Sequence, residues 1–411
     1  MSKERNYPKL RHPIDIRFET VENQQIILLS CPIGVSKSPL ALVSAVAPIL
    51  ACFQGNMSAH EILDKFSSQG LTEDVLNQLI NLLDDNLFLA GSRFFAAQQT
   101  MLEDFHNSST RPAALAGRAY SAIPVELQGE IERYLNQNRL IDRVDRRQLH
   151  GLVSPHIDYR RGHLTYGKTY NILRDQNPDL YILIGTSHQY SRNIFHLSSK
   201  DFDSPLGILK CDLEFMSKLA SLYGEKRSFD EEILHRQEHS LELQIPFIKH
   251  LKPNPMIAPI LVGSFHNMLA AGKVPEEHEE YDRFAYSLTK CISDFKNSGR
   301  VPCLVAGVDM AHVGKYFGDN EALTPDKMSL IEERDRKYLD YICKQDKKSL
   351  FEHIAEDMDA RRVCGFPTMY TVIDTFDRLG IKYQAELIEY RQAVDYNIDC
   401  GVTFAGVAIW V

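Results

Sequence analysis

Three histidines follow three apolar runs. Residues 151–155 lead into His156, residues 181–185 lead through Thr186 and Ser187 to His188, and residues 301–308 lead through Asp309, Met310 and Ala311 to His312. Neutral imidazoles are the donors that zinc, copper, nickel and iron favour. The spacings of 32 and 124 residues belong to no short metal motif and name no ion. Two further groups carry chemistry. Glu238-His239-Ser240-Leu241-Glu242 sets two carboxylates at i, i+4, expected on one helical face with an imidazole beside them. Arg362-Val363-Cys364-Gly365-Phe366-Pro367 puts a thiol before a glycine, where a tight turn or helix entry exposes it, although burial as a small apolar residue is the plainer reading of a single cysteine.

Apolar runs without polar alternation suit the interior of a parallel sheet, whose ligands gather in the crevice outside the carboxyl ends of the strands. The elements around the histidines have the right order. A helix is predicted over about 124–136, a strand to His156, a helix to about Arg174 and a strand over 181–185, which is β-α-β succession with crossovers that suit parallel pairing. Helices are predicted over 213–222, 240–251, 281–296 and 328–341 and near Leu350, and strands over 257–262, 301–308, 383–388 and 401–411.

The 411 residues suffice for two domains, and 44% hydrophobic with 25% charged residues is ordinary for a globular protein. A formal net charge of −9 argues against nucleic-acid or anionic-membrane binding through bulk electrostatics. The polar start Met1-Ser2-Lys3-Glu4-Arg5 lacks the apolar core of a signal peptide, and no later segment is an apolar run of membrane length, so a cytoplasmic protein is expected. Eight scattered cysteines without a Cys-x-x-Cys pair indicate neither a disulfide framework nor a zinc ribbon.

Residues 1–97 read as a small winged-helix-like α+β domain. Two strands at 14–18 and 26–29 precede a helix over 40–53 opened by Ser38 and Pro39, a second helix opened by the capping-box spacing Ser58 to Glu61, and a third opened by Thr72. A strand pair across Gly91-Ser92 would supply the wing, and residues 98–110 read as a polar linker. Residues 1–100 carry eight Lys/Arg against ten Asp/Glu, with none of those cations between Thr72 and Asn86. Docking of a peptide or partner protein is therefore favoured over DNA binding.

The segments Arg111-Pro112-Ala113-Ala114-Leu115-Ala116-Gly117, Ser154-Pro155-His156, Gly185-Thr186-Ser187-His188, Glu238-His239-Ser240-Leu241-Glu242, Asp309-Met310-Ala311-His312 and Cys364-Gly365 occur in the order found in the Memo-like family. Over residues 111–411 the chain resembles that family, whose bacterial and archaeal members are called AmmeMemoRadiSam system protein B. The resemblance implies an α/β sandwich with a central, mainly parallel sheet, related to class III LigB-type extradiol dioxygenases. It further implies that His156, His188 and Cys364 are the metal ligands, the thiol standing where the dioxygenases have a carboxylate. His312 would be the acid/base histidine rather than a third ligand, with Asp309 and His239 as catalytic neighbours and Glu238, Glu242 and Tyr159 contacting substrate. This sequence departs from the pattern at Ile157-Asp158-Tyr159, where many relatives continue with Ala-Gly, and at Gln189, where a second histidine is common. The first domain resembles, through residues 55–62, small winged-helix domains that bind peptides alongside radical-SAM enzymes.

One transition-metal ion is expected, iron or copper before zinc, because a thiolate is softer and more donating than a carboxylate. A metal-dependent redox enzyme, a zinc hydrolase and a binding protein that holds a peptide or small molecule in the same cleft all remain open. The family name implies a radical-SAM enzyme and an AMME-syndrome candidate family protein as partners, with neither DNA nor membrane.

Overall fold

A computed structural model describes residues 6–21, 24–137 and 147–411, in two compact units, Met1–Ser108 and Ser109–Val411. The polar residues 1–5 lie outside the described residues.

In the first unit, β1 (Asp15–Val21) pairs antiparallel with β2 (Gln24–Ser30), and β2 pairs with β3 (Leu40–Val43). The third strand corrects the helix expected over 40–53. Leu42 turns into the core opposite Ile27 while Ala41 and Val43 face out, the period-2 pattern of a strand, and only Ala47–Leu50 is α-helical in this stretch. The Ser58–Glu61 capping box opens helix Ala59–Phe66, and the Thr72 hydroxyl accepts from Val75 N to open helix Glu73–Asp85, which buries Leu76, Leu79, Ile80 and Leu83. The expected strand pair across Gly91-Ser92 does not form. Gly91 instead caps one helix, Ser92–Asn107, which also takes up most of the stretch read as a linker. Phe94 and Phe105, eleven residues or about three turns apart, bury on one side of it, and no Gly or Pro interrupts the residues between them.

The strands of the second unit are β4 (Thr110–Arg111), β5 (Leu149–Ser154), β6 (Leu180–Thr186), β7 (Phe195–Leu197), β8 (Asp201–Phe202), β9 (Lys210–Cys211), β10 (Met256–Val262), β11 (Pro302–Gly307), β12 (His312–Val313), β13 (Gln384–Asp395) and β14 (Cys400–Trp410). Apart from a β4–β8 pair they form a nine-stranded sheet in the order β12-β14-β5-β11-β6-β10-β7, with β13 on β14 and β9 on β10. The inner strands β5, β11, β6 and β10 run parallel, and the β13–β14 hairpin continues the sheet antiparallel to β5.

Both faces of the sheet are covered, which is why its strands read as unbroken apolar runs. Alternate residues divide between two cores: Leu180, Ile182 and Ile184 pack with helices Leu213–Tyr223, Glu279–Asn297 and Phe366–Arg378, while Tyr181 and Leu183 pack with helices Pro124–Gln137, Tyr159–Asn171 and Ile245–Leu251. The single helix expected over 240–251 is two, His239–Glu242 and Ile245–Leu251, with Pro246 in the first turn of the second. Helix Phe366–Arg378, directly after Cys364, is not among the expected elements and is buried from Phe366 to Phe376. No helix among the described residues is long and apolar enough to cross a membrane.

His235 is buried, with Nε2 3.0 Å from the His196 carbonyl oxygen, and burial pushes its pKa down to about 3. The unfolded chain binds this proton below about pH 6.5 and the folded chain does not, so stability present at neutral pH is lost as pH falls, by about 2 kcal/mol at pH 5. His235→Gln removes that dependence. Urea unfolding at pH 7 and pH 5 should show the stability gap between parent and variant changing by about that amount, and an unchanged gap contradicts the assignment.

Candidate metal centre

β5, β11 and β6 are neighbours, and Gly307 at the end of β11 pairs with Ser154 on one side and Gly185 on the other. His156, Asp309 and His188 therefore leave three adjacent strands on the same edge of the sheet. The His156 ring lies 4.9 Å from both the His188 and the His239 ring, and His188 and His239 stack at 4.4 Å. One donor nitrogen from each of the three falls within 4.8 Å of the other two, a group that can hold a metal ion.

His239 reaches the strand ends because two glycines let its helix descend on them. A Cβ on Gly307 would overlap the Ser240 carbonyl oxygen, and one on Gly185 would strike Ser240 Oγ and Leu241. Ser240 Oγ then donates to the Thr186 carbonyl at 2.8 Å, and Gln244 Nε2 donates to the Pro155 carbonyl at 2.9 Å, fastening the helix to β6 and to the turn before His156.

Each imidazole is oriented through Nδ1. His156 Nδ1 donates to the Gly307 carbonyl at 3.0 Å, and His312 Nδ1 to the carbonyls of Met310 and Arg362 at 3.0 and 3.1 Å. His188 Nδ1 and His239 Nδ1 both face Glu238 Oε1, at 2.9 and 3.1 Å. An acceptor opposite Nδ1 keeps the proton there and leaves the Nε2 lone pair for a metal or a proton. Cys364 Sγ lies 3.3 Å from His156 Nε2 and 3.7 Å from the Asp309 carbonyl. Gly365 N donates to that same carbonyl and starts helix Phe366–Arg378, so the thiol sits at a helix entry. Asp309 Oδ1 accepts from His156 N and Ile157 N at 2.9 and 3.2 Å, and Oδ2 stands 3.8 Å from His156 Nε2.

Three residues expected to touch substrate are engaged elsewhere. Glu238 is the N-cap of its short helix, and its oxygens accept from His188 N, His239 N and Ser240 N besides the two imidazoles. It orients donors and has no face free for substrate. Glu242 does not share that face. It is fully buried in an ion pair with Arg111 and accepts from Ala114 N, Leu115 N and Tyr120 Oη. Tyr159 is buried, donates to the Leu243 carbonyl at 2.6 Å and borders a separate surface cavity of ≈ 820 Å³ with Tyr120 and Tyr134. No local signal could have found the Glu242 pairing, because its partner Arg111 lies far away in sequence.

Burial disfavours charge throughout the site, and neighbours decide which groups keep it. Burial holds His156 well below the usual histidine range, reinforced by the charges of His188 and His239. Burial likewise lowers His312 to about 4, and raises Asp309 to about 6 and the Cys364 thiol well above its ordinary value. At His188 burial is outweighed by the Glu238 charge and hydrogen bond, so its pKa rises, and the same contacts hold Glu238 well below the carboxylate range.

If Glu242 serves only the Arg111 pair, Glu242→Gln should cost about 3–5 kcal/mol by stranding a buried guanidinium, with metal content per folded molecule unchanged. Urea unfolding and elemental analysis check this together. A variant of parental stability that has lost ligand binding would restore a substrate role.

Residues 111–408 match the family model described as Memo-like protein. A MEMO1 family protein of Aquifex aeolicus is 26% identical over 382 residues, covering 92% of this chain and 94% of its own, an alignment too long to be confined to the second unit. MEMO1 family proteins of Pyrococcus furiosus and Archaeoglobus fulgidus are 25% and 26% identical, covering 73% and 69% of this chain and 98% and 93% of their own. With the family match over residues 111–408 spanning nearly all of the second unit, the chain belongs to the Memo-like protein family.

Proposed function

We propose that the second unit is a metal-dependent redox protein that holds one ion on His156, His188 and Cys364. The observation that carries the reading is the anchoring of every imidazole through Nδ1, which aims unprotonated Nε2 atoms into one space beside the Cys364 thiol. Iron or copper is favoured because two imidazoles and a soft sulfur suit those ions. Either would supply electron transfer and a Lewis-acidic position for a bound substrate.

The chain's own residues do the rest. Glu238, ionised and buried, holds two imidazoles at a fixed angle and balances positive charge. His312 is neutral at pH 7, its Nδ1 proton held by two carbonyls, so Nε2 is the atom that takes a proton from substrate. Asp309, with Oδ1 fixed by backbone amides and Oδ2 toward His156, is a second proton carrier. Residue types that carry protons thus surround residue types that carry a metal.

The histidine trio favours a second reading. Three imidazoles are the donor set of hydrolytic zinc sites, and His239 would then replace Cys364 as third ligand. Substitution separates the two. The redox reading expects His156→Ala and His188→Ala to abolish metal uptake, Cys364→Ser to weaken it about tenfold or more, and His239→Ala to leave it nearly intact. Elemental analysis after loading with iron, copper or zinc reads all four. Full occupancy in Cys364→Ser together with loss in His239→Ala sinks the thiolate site and leaves the zinc reading.

A further inference from the structure

Two chain segments face the histidine trio: 309–312, with Asp309 and His312, and 357–364, which ends in Cys364. The second is strained. Met358, Asp359 and Arg362 have φ of 52°, 56° and 52°, left-handed conformations disfavoured for any residue with a side chain. Such a loop keeps its shape only when its surroundings over-determine it.

One buried carboxylate does this for both segments. Asp335, fully buried on helix Pro325–Lys344, bonds Arg361 NH1 at 3.0 Å through Oδ1. Its Oδ2 accepts from Thr403 Oγ1 at 2.6 Å and from Tyr390 Oη at 3.1 Å. Arg361, between the strained residues, also reaches Asp357 at 3.3 Å and His353 Nε2 at 3.1 Å. Burial and the charges of Arg361 and Arg334 lower His353 to about 4, so its ring is neutral, with Nε2 beside both the guanidinium and the Arg334 carbonyl, the latter at 3.0 Å. Thr403 holds the other segment: Met310 N donates to its carbonyl, its own N donates to the Ala311 carbonyl, and Ala311 N donates to Thr403 Oγ1 at 2.9 Å. The segments are then tied directly, His312 N to the Arg361 carbonyl at 2.7 Å and Gly365 N to the Asp309 carbonyl at 3.1 Å. None of Asp335, Arg361 and Thr403 belongs to the histidine trio.

We infer that Asp335, Arg361 and Thr403 are positioning residues that clamp the Cys364 loop and the Asp309–His312 segment into one unit, setting where the thiol stands relative to the histidines. The effect on metal binding rests on the reading of the site as a metal centre; the effect on the thiol does not.

The test uses the full chain. The double variant Asp335→Leu/Arg361→Met removes both charges and strands neither, and Thr403→Val removes one hydroxyl of similar shape. Alkylation of metal-free protein, resolved by peptide mass, is compared at Cys364 and at Cys303, which is buried on β11 away from the loop. Cys364 should label about tenfold faster in the double variant and severalfold faster in Thr403→Val, with Cys303 unchanged, because the loop opens locally. Zinc affinity, measured by chelator competition, should fall about 10–100-fold. Parental labelling of Cys364 in a folded variant overturns the inference, and so does an equal increase at Cys303, which would mean that the cluster serves only global stability. If the double variant does not fold, Thr403→Val decides alone by the same criteria. A parent chain that takes up no zinc defeats the metal reading, while the labelling comparison still decides the positioning.

Discussion

The site depends on a close approach that only missing side chains permit. The turn that carries Glu238 and His239 rests on the ends of β6 and β11 at Gly185 and Gly307, where a methyl group would run into Ser240. Lifting that turn by the width of a methyl group would take His239 off the His188 ring and withdraw Glu238 from both imidazoles it orients. The same Gly307 supplies the carbonyl that fixes His156, so one residue without a side chain sets the height of a helix and the tautomer of an imidazole. The geometry is a packing result before it is an electrostatic one.

Given that packing, burial sorts the titratable groups. Asp309, Cys364, His156 and His312 all shift toward their neutral forms, whereas the His188 pKa rises and Glu238 is held well below the carboxylate range because each is the other's partner. A pocket with one buried carboxylate, Glu238, and several neutral donors suits a cation that brings its own charge.

The sequence revealed the sheet well and the site in part, for physical reasons. Strands buried on both faces show as apolar runs, so β5, β6, β10 and β11 were legible, and their shared direction put His156, His188 and Asp309 at one edge. Helix Glu279–Asn297 was legible by its period, whereas Phe366–Arg378 was missed although Phe366, Met369, Tyr370, Ile373 and Phe376 carry the same spacing. The strand Leu40–Val43 was mistaken for helix because Ser38-Pro39 imitates a helix start and four residues are too few to separate period 2 from 3.6. The spacing of Glu238 and Glu242 suggested a shared face, but Glu238 is a cap outside the helix, so the i, i+4 rule does not apply to it. Partners distant in sequence, such as Arg111 with Glu242 or Asp335 with Arg361, leave no local pattern.

These distant pairs bear on what the proposed thiolate ligand would require of its loop. A carboxylate ligand brings its own charge and can bind through either oxygen, so it tolerates a mobile loop. A thiol offers one atom, must lose a proton that burial holds tightly, and binds well only if that atom is already in place. The strained turn before Cys364, the glycine after it packed on the Asp309 carbonyl and the buried guanidinium behind it all restrict where Sγ can go. In the proposed site, sulfur in place of oxygen would therefore ask more of the loop than of the other ligands. The chain bonds the loop's backbone to the segment that bears His312, so that the Cys364 thiol and the His312 ring keep one spacing.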